Sequence, residues 1–243
     1  MVISLRAGSK AEWNSLKSVI MHNPGPEIFF NSLLNQEIKN HSVLSELLVM
    51  HGQIVERLKD NFGISVNLVD GLIRDIPVSE DNELYSKLLS LAFESISILS
   101  DSDQKNSSAR IPGYMDPYSL FLLTLYGPSI RYHKDRAVSI ELNRVMGGLV
   151  RMNDYYLTAP EGLIMGAGKS PEKAIETILA EIVMKSLGIR PDFKITAGAA
   201  AGGDIIPAGD FLLIGYGSRT SIEGIMQLLS SSNLHEEIVI VHE

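Results

Sequence analysis

The stretch AAAGGDIIPAGDFLLIGYGSRTS, residues 199–221, contains the signals that define this fold most clearly. A turn of small residues leads into two apolar segments over residues 205–217, which predict a pair of strands because Gly and Asp bound them. Residues 221–230 have a helical pattern, and the apolar run in EIVIVHE, residues 237–243, predicts a last strand. The stretch therefore predicts a strand–turn–strand–helix–strand unit.

The same unit is predicted once more, immediately upstream. Two strands are expected at 149–157 and 162–165, joined by an Ala-Pro-Glu-Gly turn. A helix is expected over 171–187, with Ser170 as N-cap and Gly188 after its end, and DFKIT then predicts a strand. Two adjacent copies of one unit indicate modules that bury their apolar faces against their neighbours.

The N-terminal half follows a different pattern. Residues 1–75 predict strand, helix and strand, at 16–21, 32–61 and 64–70, with Gly63 ending the helix. We expect the region 80–147 to be mostly helical. Its predicted helices are 83–99, 118–126 and a mixed segment at 133–146, with a polar loop at 100–117.

Composition excludes several classes of function. Apolar residues make up 45% of the 243 residues, which is enough for a sizeable core, and the formal net charge is -8. No basic cluster is long enough to follow a phosphate backbone, and no apolar run is long enough to span a bilayer. We therefore expect no nucleic acid partner, no membrane partner and a cytoplasmic location. Six scattered histidines and no cysteine predict no metal site and no cofactor.

Four segments in order resemble the arginine deiminases and the wider guanidino-group-modifying (amidinotransferase, pentein) superfamily. They are LKSVIMHNPGPE, RMNDYYLTAPEGLIMG, AGGD and IGYGSRTS. The resemblance implies an α/β fold, a ring of five ββαβ modules called an α/β propeller, with a helical insertion in the first module. By module count this chain is expected to form an incomplete propeller. Its parts would be a first module at 1–75, the helical insertion at 76–147, a second module at 148–200 and a partial third at 201–243.

The resemblance also implies roles for individual residues. Asp154 stands where the family has an aspartate that grips a guanidinium, and Arg219 matches an arginine that binds the substrate's carboxylate. AGGD matches the family's Glu-Gly-Gly-Asp, so Gly202 and Gly203 would form the turn and Asp204 would belong to the substrate site. Each residue also has a purely structural reading: a turn aspartate, a packed small-residue turn and a solvated surface arginine.

Two departures from the family pattern weaken the catalytic reading. The family attacks the guanidinium carbon with a cysteine thiolate, and this sequence has no cysteine. Ala201 stands where the family has a second carboxylate for the guanidinium, and Asn153 stands where it usually has arginine. His242 follows a strand but no aspartate lies two residues later, so we do not equate it with the family's histidine. We therefore predict no catalytic residue in this sequence.

Three functions stay open on these grounds. The chain is an arginine deiminase-related protein that is inactive by itself, a subunit of a split enzyme completed by a partner chain, or a non-catalytic module that binds arginine or another guanidino ligand. Because an incomplete propeller exposes sheet edges and apolar faces, we expect either a homo-oligomer or a complementary chain to cover them.

Overall fold

The chain is a mixed α/β protein built from several small sheets, as its computed structural model shows. The structure describes residues 7–35, 43–100, 115–133, 135, 137–142, 144–159, 162–230 and 237–242.

Eighteen named elements alternate along the described residues. The helices are α1 (Pro26–Asn35), α2 (Val43–Glu56), α3 (Val69–Arg74), α4 (Glu83–Ser95), α5 (Pro117–Tyr126), α6 (Pro171–Ser186) and α7 (Ile222–Ser230). The strands are β1 (Ser18–Met21), β2 (Ser65–Leu68), β3 (Ser97–Ser100), β4 (Pro128–Tyr132), β5 (Val138–Leu142), β6 (Tyr156–Ala159), β7 (Gly162–Met165), β8 (Phe193–Lys194), β9 (Ile205–Ala208), β10 (Phe211–Tyr216) and β11 (Glu237–His242). A π-helical turn, Arg57–Asn61, follows α2, and 3-10 turns cover Gly148–Asp154 and Gly202–Asp204.

Three of the sheets share one local topology. In each, a central strand is antiparallel to one neighbour through a hairpin and parallel to the other across a helix. The central strands are β4, β7 and β10. The last two sheets arise from the successive ββαβ units β6-β7-α6-β8 and β9-β10-α7-β11, which confirms the two units predicted from the sequence.

The described residues divide into two compact units. One unit takes those within Met1–His22, Phe62–Asn67 and Arg151–Glu243, and it contains both ββαβ units. Its apolar core joins the two sheets and α7. The core residues are Leu157, Ala159, Ile164, Ile195, Ala200, Ile205, Leu212, Ile214, Ile225 and Leu228. The two repeats therefore share one apolar core.

The second unit takes the described residues within Asn23–Asn61 and Leu68–Val150. Helices α3, α4 and α5 pack together in it, and Leu88, Leu120 and Phe121 are almost fully buried. The guanidinium of Arg74 lies 3.4 Å from the centre of the Tyr118 ring, a cation–π contact between α3 and α5.

Local signals placed several helix ends correctly. The Ser170 hydroxyl accepts from the Lys173 amide at 3.2 Å and Pro171 opens α6, so the predicted N-cap is confirmed. Gly63 and Gly188 follow their helices with φ of 64° and 75°, the left-handed conformation that terminates a helix.

Four sequence-based assignments are wrong. The described residues of the region 80–147 are not mostly helical, because they include the β3-β4-β5 sheet. The segment 133–146, expected to be a helix, contains strand β5, and the expected helix at 83–99 ends at Ser95, where β3 follows. The expected strand at 149–157 is a 3-10 turn up to Asp154, and β6 begins at Tyr156. Most of the loop expected at 100–117 lies outside the described residues.

Strand β11 is unusual because both of its faces are exposed. It pairs with β10 at one side and lies at the edge of its sheet. Its four apolar side chains, Ile238, Val239, Ile240 and Val241, are 38–54% exposed. Among the described residues, no helix is long and apolar enough to cross a membrane.

Substituting two glycines by alanine tests their backbone conformations, because Gly52 lies inside a helix and Gly188 follows one in the left-handed conformation. Gly52 lies inside α2 with open space around it, so Gly52→Ala is expected to raise the free energy of unfolding by about 0.5–1 kcal/mol. Gly188→Ala also meets no neighbour but places a β-carbon at φ 75°, so it is expected to lower that free energy by about 1–2 kcal/mol. Urea denaturation of both variants measures the difference, and shifts of the same sign would contradict the assigned backbone conformations.

Candidate functional site

The structure brings together three residues that the sequence singled out. The Arg219 guanidinium donates through Nη1 to Asp154 Oδ1 at 3.3 Å and through Nη2 to Asp204 Oδ1. All three lie in the unit that contains the two ββαβ repeats. We call Asp154, Asp204 and Arg219 the carboxylate–guanidinium cluster.

The two aspartates each end a 3-10 turn, and the arginine lies in a loop. Asp154 ends the 3-10 turn before β6, and Asp204 ends the equivalent turn before β9. Arg219 lies in the tight loop between β10 and α7, where the Gly217 amide donates to the Thr220 carbonyl at 3.0 Å. The equivalent position of the two aspartates therefore follows from the repeated unit, and the arginine is supplied by the second repeat alone.

Thr220 anchors the buried side of the cluster. Its hydroxyl donates to Asp204 Oδ2 at 2.7 Å and accepts from the Ala201 amide at 3.1 Å, and Thr220 is 1% exposed. The hydroxyl thus satisfies one carboxylate oxygen of Asp204 while Arg219 satisfies the other. The Asp204 side chain is held from two directions.

Ser221 caps the helix that follows the cluster, because its Oγ accepts from the Gly224 amide at 3.3 Å in the first turn of α7. Ser221 also accepts from the Ala199 amide at 3.1 Å, which attaches the helix start to the small-residue segment. Thr220 is consequently free of a capping role and bonds to Asp204 instead.

Gly202 and Gly203 serve close approach and have no left-handed backbone. The described glycines with positive φ include Gly198 and Gly209 but neither of these two. A β-carbon at Gly202 would overlap the carbonyl oxygens of Asn153 and Tyr156. Glycine here lets the AGGD turn contact the backbone that carries Asp154.

The charges of the cluster are balanced within the protein. The side chains of Asp154 and Asp204 are 9% and 4% exposed, whereas that of Arg219 is 47% exposed. Arg151, which the sequence analysis did not single out, places Nε 3.4 Å from Asp154 Oδ2. Two enclosed carboxylates therefore face two more exposed arginines, and the geometry accommodates a planar guanidinium better than an anion.

A second polar network lies next to Asp154 and was not predicted. The Tyr155 hydroxyl donates to Glu176 Oε2 at 2.6 Å and accepts from Lys173 Nζ at 2.9 Å. Lys173 also pairs with Glu176 at 3.0 Å. The i, i+3 spacing of Lys173 and Glu176 on α6 indicates a pair on one helix face, but the tyrosine partner depends on the tertiary structure.

Burial raises the pKa of both tyrosines that follow Asp154. Burial, with the nearby charge of Glu176 and the hydrogen bond to it, raises the pKa of Tyr155 well above its usual range. Burial alone raises the pKa of Tyr156 to about 12. Both phenols therefore stay protonated at neutral pH.

Other residues that the sequence singled out make contacts that do not point to a ligand site. His242 lies on β11 with its ring edge-to-face against Tyr216 at 5.1 Å between ring centres. Ala201 is partly buried and bonds to Thr220 through its amide. Among the described residues, no group of three or more histidine, aspartate or glutamate side chains is arranged to hold a metal ion.

The AGGD turn gives a matched pair of substitutions. Gly202→Ala is expected to lower the free energy of unfolding by about 1–3 kcal/mol, because the new methyl group overlaps two backbone carbonyls that cannot move independently. Gly203→Ala meets Asp154 Oδ1 at 2.9 Å, a side-chain atom that can shift, so its cost is expected to be smaller. Urea denaturation ranks the two variants, and a larger loss for Gly203→Ala would contradict this packing.

The Tyr155 network gives a prediction on pH. The folded protein keeps the Tyr155 phenol protonated because its pKa is raised, whereas the unfolded chain ionises it near about pH 10. The stability that Tyr155 contributes is therefore complete below about pH 10 and falls as the pH rises further. Tyr155→Phe is expected to be about 1 kcal/mol less stable at neutral pH, with a deficit that shrinks above about pH 10.

Urea denaturation between about pH 7 and about pH 11 measures that deficit. Tyr132→Phe is the control, because the Tyr132 side chain is exposed. A Tyr155→Phe deficit that stays constant across the range would contradict the burial of a protonated phenol.

Comparison with known proteins agrees with the resemblance seen in the sequence. Residues 141–242, which include the whole carboxylate–guanidinium cluster, match the family model of arginine deiminase. A search of the curated proteins returns no match.

Two solved structures match this chain at low sequence identity. One is the crystal structure of a dimethylarginine dimethylaminohydrolase adduct with 4-chloro-2-hydroxymethylpyridine, at 18% identity and a TM-score of 0.46, covering 93% of this chain and 60% of that one. Another is the Pseudomonas aeruginosa dimethylarginine dimethylaminohydrolase, as a variant complexed with citrulline, at 17% identity and a TM-score of 0.48, covering 94% of this chain and 61% of that one. This chain thus spans about three fifths of the length of the solved structures it matches.

Proposed function

We propose that this protein, which is related to the arginine deiminases through residues 141–242, binds a guanidino compound at the carboxylate–guanidinium cluster without transforming it through residues of this sequence. One observation carries the proposal: the carboxylates of Asp154 and Asp204 converge on a single guanidinium, that of Arg219. Two carboxylates placed to accept from one planar guanidinium have the geometry that an arginine-like ligand requires.

The non-catalytic part of the proposal follows from residue types. The family reaction that the resemblance implies needs a cysteine thiolate, and these 243 residues include no cysteine. Ala201 supplies no second carboxylate where the family has one. Binding therefore relies on Asp154 and Asp204, and the chemistry would require a nucleophile from outside this sequence.

The proposed architecture is an incomplete α/β propeller. The two ββαβ units support it, with module boundaries at 148–200 and 201–243. The first module at 1–75 and an insertion at 76–147, which contains the β3-β4-β5 sheet besides its helices, complete the proposed arrangement. A cytoplasmic location belongs to the same proposal.

The exposed edge strand favours a second candidate function, a subunit that a partner chain completes. Four consecutive β-branched side chains on β11 are exposed, and among the described residues β11 pairs with β10 alone. Exposed edges of this kind pair readily with another chain, either a second copy or a complementary one. A neighbouring reading frame that encodes a His-x-Asp segment and a late cysteine would favour this candidate, and a stable monomer in sedimentation analysis would count against it.

Calorimetric titration tests the binding proposal. Arginine and agmatine are expected to bind, and citrulline is expected to bind at least roughly tenfold more weakly because its ureido group is uncharged. Asp154→Asn should lower the affinity for arginine and for agmatine by roughly tenfold or more, because a charged hydrogen-bond acceptor is lost.

Asp210→Asn is the matched control, because Asp210 is an exposed aspartate of the same unit that pairs with Lys10 outside the cluster. Equal affinity for citrulline and arginine, or a loss that Asp210→Asn reproduces, would refute a carboxylate-based guanidinium site. Production of citrulline from arginine by the purified protein would refute the non-catalytic part.

A further inference from the structure

We infer that Arg219 is an internal competitor for the ligand, so that an external guanidinium binds by displacing the Arg219 side chain from Asp154 and Asp204. The inference rests on the proposed function, because it concerns the same two carboxylates. It differs from the role that the family resemblance implies, in which Arg219 binds the ligand's carboxylate.

The contacts of Arg219 are those that an arginine-like ligand would make. Nη1 and Nη2 of one guanidinium donate to carboxylates from two different turns. The two N–H groups that face the carboxylates are thereby used within the protein, and they occupy Asp154 Oδ1 and Asp204 Oδ1. A ligand guanidinium therefore cannot bind these same two oxygens while Arg219 is bound to them.

The exposed fractions of the three side chains indicate that Arg219, and not an aspartate, is the one that can move away from the cluster. The Arg219 side chain is 47% exposed, so its charge can rotate into water with little further change in hydration. The carboxylates of Asp154 and Asp204 are enclosed, and they would lose a cationic partner that water does not fully replace. Arg219 is thus expected to stay on the two carboxylates for most of the time in the unliganded protein, and to be displaced fully only when another cation takes its place.

The surrounding backbone stays fixed during such an exchange. Thr220 keeps its bonds to Asp204 and to the Ala201 amide, and the Ser221 amide donates to the Ala199 carbonyl at 2.9 Å. These contacts hold both sides of the Arg219 position in the loop. The exchange therefore needs rotation of one side chain and no movement of α7.

Ligand chemistry separates the competitor from a carboxylate clamp. Agmatine has a guanidinium but no carboxylate, and arginine has both. If Arg219 competes, Arg219→Ala tightens the binding of both ligands, by roughly tenfold if the site is open about a tenth of the time. If Arg219 instead binds the ligand's carboxylate, the same substitution weakens the binding of arginine and leaves the affinity for agmatine unchanged. That result would overturn the inference.

Chemical rescue gives a test that does not depend on the natural ligand. Arg219→Ala is expected to lower the melting temperature by about 3 °C or more, since two enclosed carboxylates lose their shared partner. Millimolar methylguanidinium should restore most of that loss, whereas sodium or methylammonium chloride at equal concentration should not. The wild-type protein and Arg190→Ala, which removes an exposed arginine outside the cluster, should gain much less from methylguanidinium, because Arg219 competes for the carboxylates in both.

Further variants keep the test decisive. Adding Asp154→Asn to Arg219→Ala should abolish the recovery, because one of the two acceptors is lost. If Arg219→Ala is unfolded in buffer, methylguanidinium should restore its folded circular dichroism spectrum, and Arg219→Gln should behave in the same way. Absence of recovery in both single variants overturns the inference. Recovery combined with no binding of arginine or agmatine to any variant leaves the inference standing and refutes the proposed function.

Discussion

The ion pairs between Arg219 and the two aspartates connect the two ββαβ repeats at their equivalent turns. Asp154 precedes the first repeat's β6, whereas Asp204 and Arg219 flank the β9-β10 hairpin of the second. Two carboxylates this enclosed are stable as charges only beside cations or hydrogen-bond donors. Arg219 contacts both aspartates, Thr220 adds a hydroxyl donor at Asp204, and Arg151 adds a second cation at Asp154.

Close backbone approach makes this arrangement possible. Gly202 lies against the carbonyls of Asn153 and Tyr156, and Gly224 leaves space for the Ala199 carbonyl at the start of α7. Any larger residue at either position would separate the AGGD turn from its neighbours. The small-residue composition of 197–203 is therefore a packing requirement, and the position of Asp204 against Arg219 is one of its results.

The carboxylate–guanidinium cluster has a structural role that the structure shows and a recognition role that we propose. The contacts that compensate the buried charge of Asp204 have the geometry that the proposed guanidino ligand needs. The proposed exchange trades ligand affinity for stability of the unliganded protein, because the internal guanidinium is displaced when an external one binds. In the neighbouring network, the buried Tyr155 and Glu176 bond to each other and to the half-buried Lys173, which holds the segment beside Asp154.

The sequence by itself determined the elements whose signals are local. Ser170 and Pro171 set the start of α6, Gly188 set its end, and the repeated unit predicted the last two sheets. It failed for β3, β5 and the 3-10 turn at Gly148–Asp154, because strand formation depends on pairing partners that are distant in sequence. It named Asp154, Asp204 and Arg219 but not their contacts. Only the tertiary structure decided that Arg219 bonds to both aspartates, since side chains separated by up to 65 positions meet through packing of the two repeats.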